Sequence, residues 1–183
     1  MTTASYEFIK AYVPRGAIIF VNSWHSLTEQ FNPSNDKHAA IYFGDKLCTH
    51  LLKTRCVSYD NICDSTLYAI ESTAVKGAHI IPLKTLITKS DIKIYILDNF
   101  DSPYKIMEQA ADNALELVGA PYGFNSNNLY CFKMVANCFE AAGVDVSTYR
   151  LLGKDIYLSQ SFTNDPKWKK IYSSESNNMC SIV

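Results

Sequence analysis

What the sequence lacks narrows its function first. No block of lysine or arginine stands out, and the 183 residues carry a formal net charge of -1. There is therefore no electrostatic footprint for a nucleic-acid partner. No apolar run reaches the roughly 20 residues that span a bilayer. Met1 to Lys10 mix polar and apolar side chains, without the hydrophobic stretch of a secretory signal. No repeat and no linker divides the chain. Six cysteines would suffice for three disulfides. In a chain of this size without a signal, the expectation is reduced thiols in a reducing compartment.

What is present suits one globular domain. With 48% hydrophobic and 13% aromatic residues, a single domain over residues 1–183 can bury a proper core. Ala17 to Val21, Ala39 to Phe43, Leu67 to Glu71, Ala78 to Pro82 and Ile92 to Leu97 read as strands. Gly44-Asp45 reads as a hairpin turn, with Leu47 to Leu52 as the returning strand. Asn22 to Asp36 reads as a loop anchored by Trp24 and Phe31. Lys53 to Ser65 reads as an irregular excursion. Asp101-Ser102-Pro103 reads as a helix start, with proline in the first helical position. Ile106, Ala110, Ala114, Leu117 and Val118 follow at helical spacing. A second helix is expected from Cys131 to about Ala142, stopped by Gly143. Lys154 to Gln160 reads as a short turn of helix, and a flexible tail is expected from about residue 173. Strands first and helices late predict an α+β fold, with an antiparallel sheet and helices on one side.

The chemistry gathers at three places. Gly119-Ala120-Pro121-Tyr122-Gly123-Phe124 reads as a tight loop that delivers Cys131 to the first turn of a helix. There a thiol meets the positive helix end and unpaired N–H groups, which favour thiolate, the nucleophilic form. Set against this, an isolated free cysteine is usually a small buried hydrophobe. Cys138 falls in the apolar stripe and reads as core. His38 opens a strand beside the small Ala39 and Ala40, and His79 ranks second as a base. His25 sits in a polar loop and His50 in an edge strand. Glu71 ends a strand and would orient His38 as the acid of a triad. Cys48, His50, Cys56 and Cys63 are too loosely spaced for a structural zinc site, so no metal is expected. Cys180-Ser181-Ile182-Val183 fits the C-a-a-X prenylation pattern in part. If it is read, Cys180 carries a lipid, with Lys167, Lys169 and Lys170 close upstream to meet anionic membrane.

The order His38, Glu71, Cys131 reverses that of papain, where the cysteine comes first. It resembles the circularly permuted branch of the NlpC-type cysteine peptidase superfamily, in which Gly-x-Pro-Tyr precedes the nucleophile. Gly119-Ala120-Pro121-Tyr122 and Cys131 carry that match. His38 to Gly44 also resembles the histidine strand of lecithin–retinol acyltransferase-like enzymes. From about Tyr6 to Tyr172 the chain is similar to the NlpC-type cysteine hydrolases of poxviruses. Pro14-Arg15-Gly16, Lys37-His38, Glu71-Ser72-Thr73, Tyr130-Cys131-Phe132-Lys133 and Leu152-Gly153-Lys154-Asp155-Ile156 carry that similarity. Cys48 to Thr66 and the tail at Cys180 depart from it.

The resemblance implies a permuted papain-like fold, a Cys-His-acid triad, and acyl hydrolysis or transfer on a peptide amide or a lipid, with no cofactor. It also implies a viral factor acting on the host in the host cytoplasm or carried in the virion. On this reading Cys131 attacks a carbonyl, His38 moves the proton and Glu71 orients His38. Tyr122 or Tyr130 lines the pocket or supplies an oxyanion donor. The alternative is a catalytically inactive papain-like fold that binds a host protein or lipid headgroup.

Overall fold

The central strands are apolar on both sides, and that dictates the layering. On one side stand Ile18, Phe20, Ala39, Ile41, Phe43 and Ile70; on the other Ile19, Val21, Ala40, Tyr42, Ala69 and Ile94, all buried. A sheet with two apolar faces must be covered on both. The computed structural model describes residues 2–22, 33–55, 62–88, 90–125 and 127–175. Trp24, His25, Phe31, Cys56 and Cys180 lie outside the described residues.

Among the described residues six strands form one antiparallel sheet in the order β4-β3-β2-β1-β5-β8. They are β1 (Ile18–Asn22), β2 (His38–Gly44), β3 (Tyr68–Thr73), β4 (Gly77–Pro82), β5 (Asp91–Leu97) and β8 (Trp168–Ser173). β6 (Tyr149–Leu151) and β7 (Lys154–Ile156) pair as a separate hairpin. One face of the sheet carries α2 (Leu47–Arg55), α4 (Pro103–Glu116) and α5 (Cys131–Ala141). The other carries α1 (Thr2–Tyr12), through Ile9, and α3 (Leu83–Leu86). α6 (Gln160–Thr163) packs Phe162 into the larger core, against Phe20 and Trp168. The fold is α+β, as the strand and helix signals indicate, but helices cover both faces rather than one.

Other sequence expectations are corrected. Leu47 to Leu52 is not a returning strand: Leu47 and Leu51, four residues apart, bury together on one side of helix α2. β2 pairs instead with β3, Ala40 lying opposite Glu71. Lys154 to Ile156 is a strand and the helical turn begins only at Gln160. Ser174 is buried and its Oγ accepts the Ile92 N–H at 2.9 Å; residues 176–183 of the tail expected from about residue 173 lie outside the described residues. Ser102 precedes Pro103 as expected, yet it is left-handed and makes no side-chain cap. Gly143, at φ 89°, takes the left-handed turn after α5.

Candidate active site

The nucleophile loop is laced by backbone to β4, the neighbour of the acid strand β3. Ala78 donates its N–H to the Ala120 carbonyl at 2.9 Å, and Gly119 donates to the Ala78 carbonyl at 2.8 Å. Leu129 N–H returns to the Pro121 carbonyl at 2.9 Å, and the buried Ser72 hydroxyl donates to the Leu129 carbonyl at 2.6 Å. Lys133 Nζ holds the intervening turn, donating to the Asn125 and Asn128 carbonyls at 3.0 Å each. Gly77 has φ +66°, and a Cβ there would meet the Ala120 carbonyl oxygen at 2.3 Å. Only glycine lets β4 and the loop approach so closely.

The loop ends at Tyr130, extended at φ -82°, and α5 opens at Cys131 with no side-chain cap. The first-turn N–H groups have no partner in a preceding turn of helix and no side-chain cap. Cys131 is 5% exposed.

A different lattice positions the histidine. Asp36, two residues before His38, is buried and accepts from Asn22 Nδ2 and from Lys93 Nζ, each at 2.9 Å. Its N–H donates to Ser159 Oγ at 3.0 Å, and Lys37 N–H donates to Asn22 Oδ1 at 2.8 Å. β1, β5 and the start of α6 thus clamp the strand entry from three sides.

His38 is brought to both partners. Its Nε2 lies 2.7 Å from Glu71 Oε2, and the Cys131 side chain lies close enough to the ring to act on its protonation. With Nε2 taken by the carboxylate, Nδ1 is the nitrogen left for sulfur. Burial alone would lower the imidazole pKa. The hydrogen bonds and negative charge of Cys131 and Glu71 outweigh it and raise the pKa to about 10. Glu71, 7% exposed in its side chain, is pushed up by burial. The hydrogen bond from His38 and the charges of His38, His79 and Lys76 reverse this and hold it below the usual carboxylate range.

The roles of two features were not legible in the sequence. His79, ranked as a second base, is instead a partner of the acid: its Nε2 lies 3.1 Å from Glu71 Oε1, and its Nδ1 is 3.0 Å from the Gly77 carbonyl. The signal was its register opposite Glu71 across β3 and β4. The Asp36–Lys93 clamp joins residues far apart in sequence and left no local pattern.

The tyrosines divide. Tyr130 stacks on Phe124 at 4.8 Å, and its hydroxyl accepts the Tyr157 N–H at 2.7 Å, so it is a wall tied to the hairpin. Tyr122 lies close enough to Cys131 that, after burial, negative charge on the sulfur raises its hydroxyl pKa. Cys138 is core, its thiol pushed up to about 12 by burial. His50 sits on helix α2, 3.2 Å from Asp112 Oδ1 and edge-on to Phe43, away from the triad. Cys63 is exposed beside the Ser65 and Thr66 hydroxyls, which lower its pKa. Among the described residues no group of three or more His, Cys, Asp or Glu side chains is arranged to hold a metal ion.

A thiol, an imidazole and a buried carboxylate in series, at an uncapped helix start, form the arrangement of a cysteine acyl-transfer site. Residues 12–172 match the permuted papain-like amidase enzymes, YaeF/YiiX, of the C92 family. The chain is 46% identical over 174 residues to Protein OPG091 of Vaccinia virus (strain Copenhagen), covering 94% of this chain and 92% of the relative. It is 45% identical, with the same coverage, to Protein OPG091 of Variola virus and of Monkeypox virus. The chain belongs to the C92 family of permuted papain-like amidases and is a relative of the poxvirus OPG091 proteins.

Proposed function

We propose that the protein is a cysteine-dependent acyl hydrolase or acyltransferase that works through Cys131, His38 and Glu71 on an amide or a lipid ester of the infected host cell. The observation that carries this reading is the His38 ring, shared between Glu71 Oε2 at 2.7 Å and the Cys131 side chain. The sulfur attacks the carbonyl carbon and an S–C bond forms. The oxygen that becomes negative is met by the Cys131 N–H at the helix start, with the Tyr122 hydroxyl as second donor. His38, as imidazolium, protonates the leaving amine or alkoxide as the C–N or C–O bond breaks. The resulting thioester is then attacked by water, or by an acceptor hydroxyl or amine, whose proton returns to His38; the C–S bond breaks, the acyl group leaves with the acceptor, and Cys131 is restored as thiolate beside the imidazolium. Glu71 holds the ring and stabilises its charge throughout.

A second reading is a binding module that keeps the fold without turnover. The 5% exposure of Cys131 favours it, because a carbonyl needs access to the sulfur. Incubating the protein with cell lysate and measuring its intact mass separates the two. A covalent acyl adduct that maps to Cys131 and is missing from Cys131→Ala supports the enzyme and names the acyl group. No adduct under any condition, with ligand still captured by Cys131→Ala, supports the module. The membrane address through Cys180 belongs to the same proposal. An unmodified C-terminal peptide from eukaryotic cells, with the same soluble distribution for Cys180→Ser, would remove it.

A further inference from the structure

The β6–β7 hairpin ends in a two-residue turn, Leu152-Gly153, with Leu151 paired to Lys154. Both turn residues are left-handed, at φ 48° and 78°. Such turns normally take Asn, Asp or Gly in the first place, because other side chains strain the backbone there. Here the first place is leucine, and it is 96% exposed. The turn thus meets both a conformational cost and the cost of apolar surface in water, and Leu151 beside it is 41% exposed. An outlier of this kind points to a surface built for contact.

Cations flank the leucines. Arg150 and Lys154 bracket the tip, and Lys133 stands at the base of the same groove, against one anion, Asp155. Asp155 takes Arg150 Nη1 at 3.0 and 3.1 Å across the hairpin, which leaves that guanidinium its remaining donors. The groove, of about 670 Å³, is walled by Phe124, Tyr130 and Tyr157. Tyr130 is the residue before Cys131, and its hydroxyl anchors the Tyr157 N–H. The hairpin is therefore fixed to the start of the nucleophile helix.

We infer that the Leu151-Leu152 tip inserts into an anionic lipid surface while Arg150 and Lys154 meet its phosphates. Apolar tips with flanking cations suit the headgroup–acyl boundary, where the leucines leave water and the charges remain at the phosphates. Docked this way, the groove lies against the bilayer with Tyr130 at its inner wall. This goes beyond the acyl-transfer reading and is measured without turnover.

The test is sedimentation of the bacterially expressed full chain, which carries no prenyl group, with phosphatidylcholine vesicles with and without phosphatidylserine. The wild type should bind in proportion to phosphatidylserine and lose binding at high salt. Leu152→Asn should weaken partitioning at least about tenfold, while its thermal midpoint stays equal or rises, because asparagine suits the turn. Arg150→Ala with Lys154→Ala should weaken it by about fivefold per cation. A wild type that stays in the supernatant overturns the inference, as does binding indifferent to phosphatidylserine or to Leu152→Asn. A lipid-free dimer that Leu152→Asn dissolves, without vesicle binding, would instead assign the tip to a second copy of the chain.

Discussion

His79 Nε2 lies 3.1 Å from Glu71 Oε1, the carboxylate oxygen that His38 does not use. The acid is thus held from two sides, and its second holder never touches the sulfur. His79 is a positioning residue: it fixes the carboxylate plane and adds charge that favours the ionised acid. His79→Phe should lower the rate at which an activated ester acylates Cys131 by about tenfold or less, short of the 10²–10⁴ typical of a general acid–base group. It should also raise the Glu71 pKa, so the acid limb of the rate profile moves to higher pH. A rate loss with an unmoved limb would leave His79 only a structural part.

His38 and Glu71 should differ in what their loss costs. His38→Ala removes the proton carrier and should slow acylation by about 10³-fold. Glu71→Gln keeps one hydrogen-bonding oxygen beside the ring, loses the charge, and should cost about 10- to 100-fold. Single-turnover acylation followed by mass spectrometry measures both. Equal losses would mean that Glu71 takes part in proton transfer itself.

The raised His38 pKa sets an alkaline stability slope. The folded-state value of about 10 lies above the unfolded value of 6.5. The stabilisation is therefore complete below pH 6.5 and is lost as pH rises toward and through 10, at no more than about 1.4 kcal/mol per pH unit. Denaturant titrations from pH 7 to 10 should show the wild type losing stability faster than His38→Asn. Parallel slopes would mean that the imidazolium is not held in the folded state.

Gly77→Ala probes the lacing between β4 and the nucleophile loop. The new methyl would press on the Ala120 carbonyl in a backbone conformation that L residues rarely adopt. A stability loss of about 1–3 kcal/mol is expected, with slower acylation because the loop that sets Cys131 must move. Gly143→Ala, where a Cβ meets open space, carries the left-handed strain without the clash. It should spare acylation in the folded protein. Equal effects on acylation would place the lacing outside the mechanism.

Of the three residues proposed as a triad, His38 and Cys131 were legible because each opens an element that its own sequence announces, whereas Glu71 lies inside β3, which runs on to Thr73 rather than ending at the acid. Gly119 to Phe124 mark a loop, the apolar stripe after Tyr130 marks a helix, and Ala39 to Phe43 mark a strand. Where signals were short, the tertiary structure decided. Leu47 and Leu51 fit a helix, yet Gly44-Asp45 suggested a turn and hid it. In Thr2 to Tyr12 the buried positions Ser5 and Ile9 stand four residues apart, and the serine in the first of them masked the helical spacing. The strand at Trp168–Ser173 exists because β5 offers it an edge, a fact no local pattern holds. Glu71's second partner and the Asp36–Lys93 clamp arise from register and long-range packing in the same way.

The central claim is that His38 activates Cys131, and selective alkylation tests it most directly. Cys63 is the internal control: it is exposed, its thiolate is favoured by the Ser65 and Thr66 hydroxyls, and it makes no contact with His38. It should therefore react with iodoacetamide beside Cys131 rather than leave that residue to react alone. Rates for each cysteine, mapped by peptide mass spectrometry below neutral pH, are measured in the wild type and in His38→Ala. The expected result is rapid Cys131 labelling that falls at least about tenfold in His38→Ala, while Cys63 labels at the same rate in both. Labelling of Cys131 no faster than that of the core residue Cys138, or unchanged when His38 is removed, would contradict the claim.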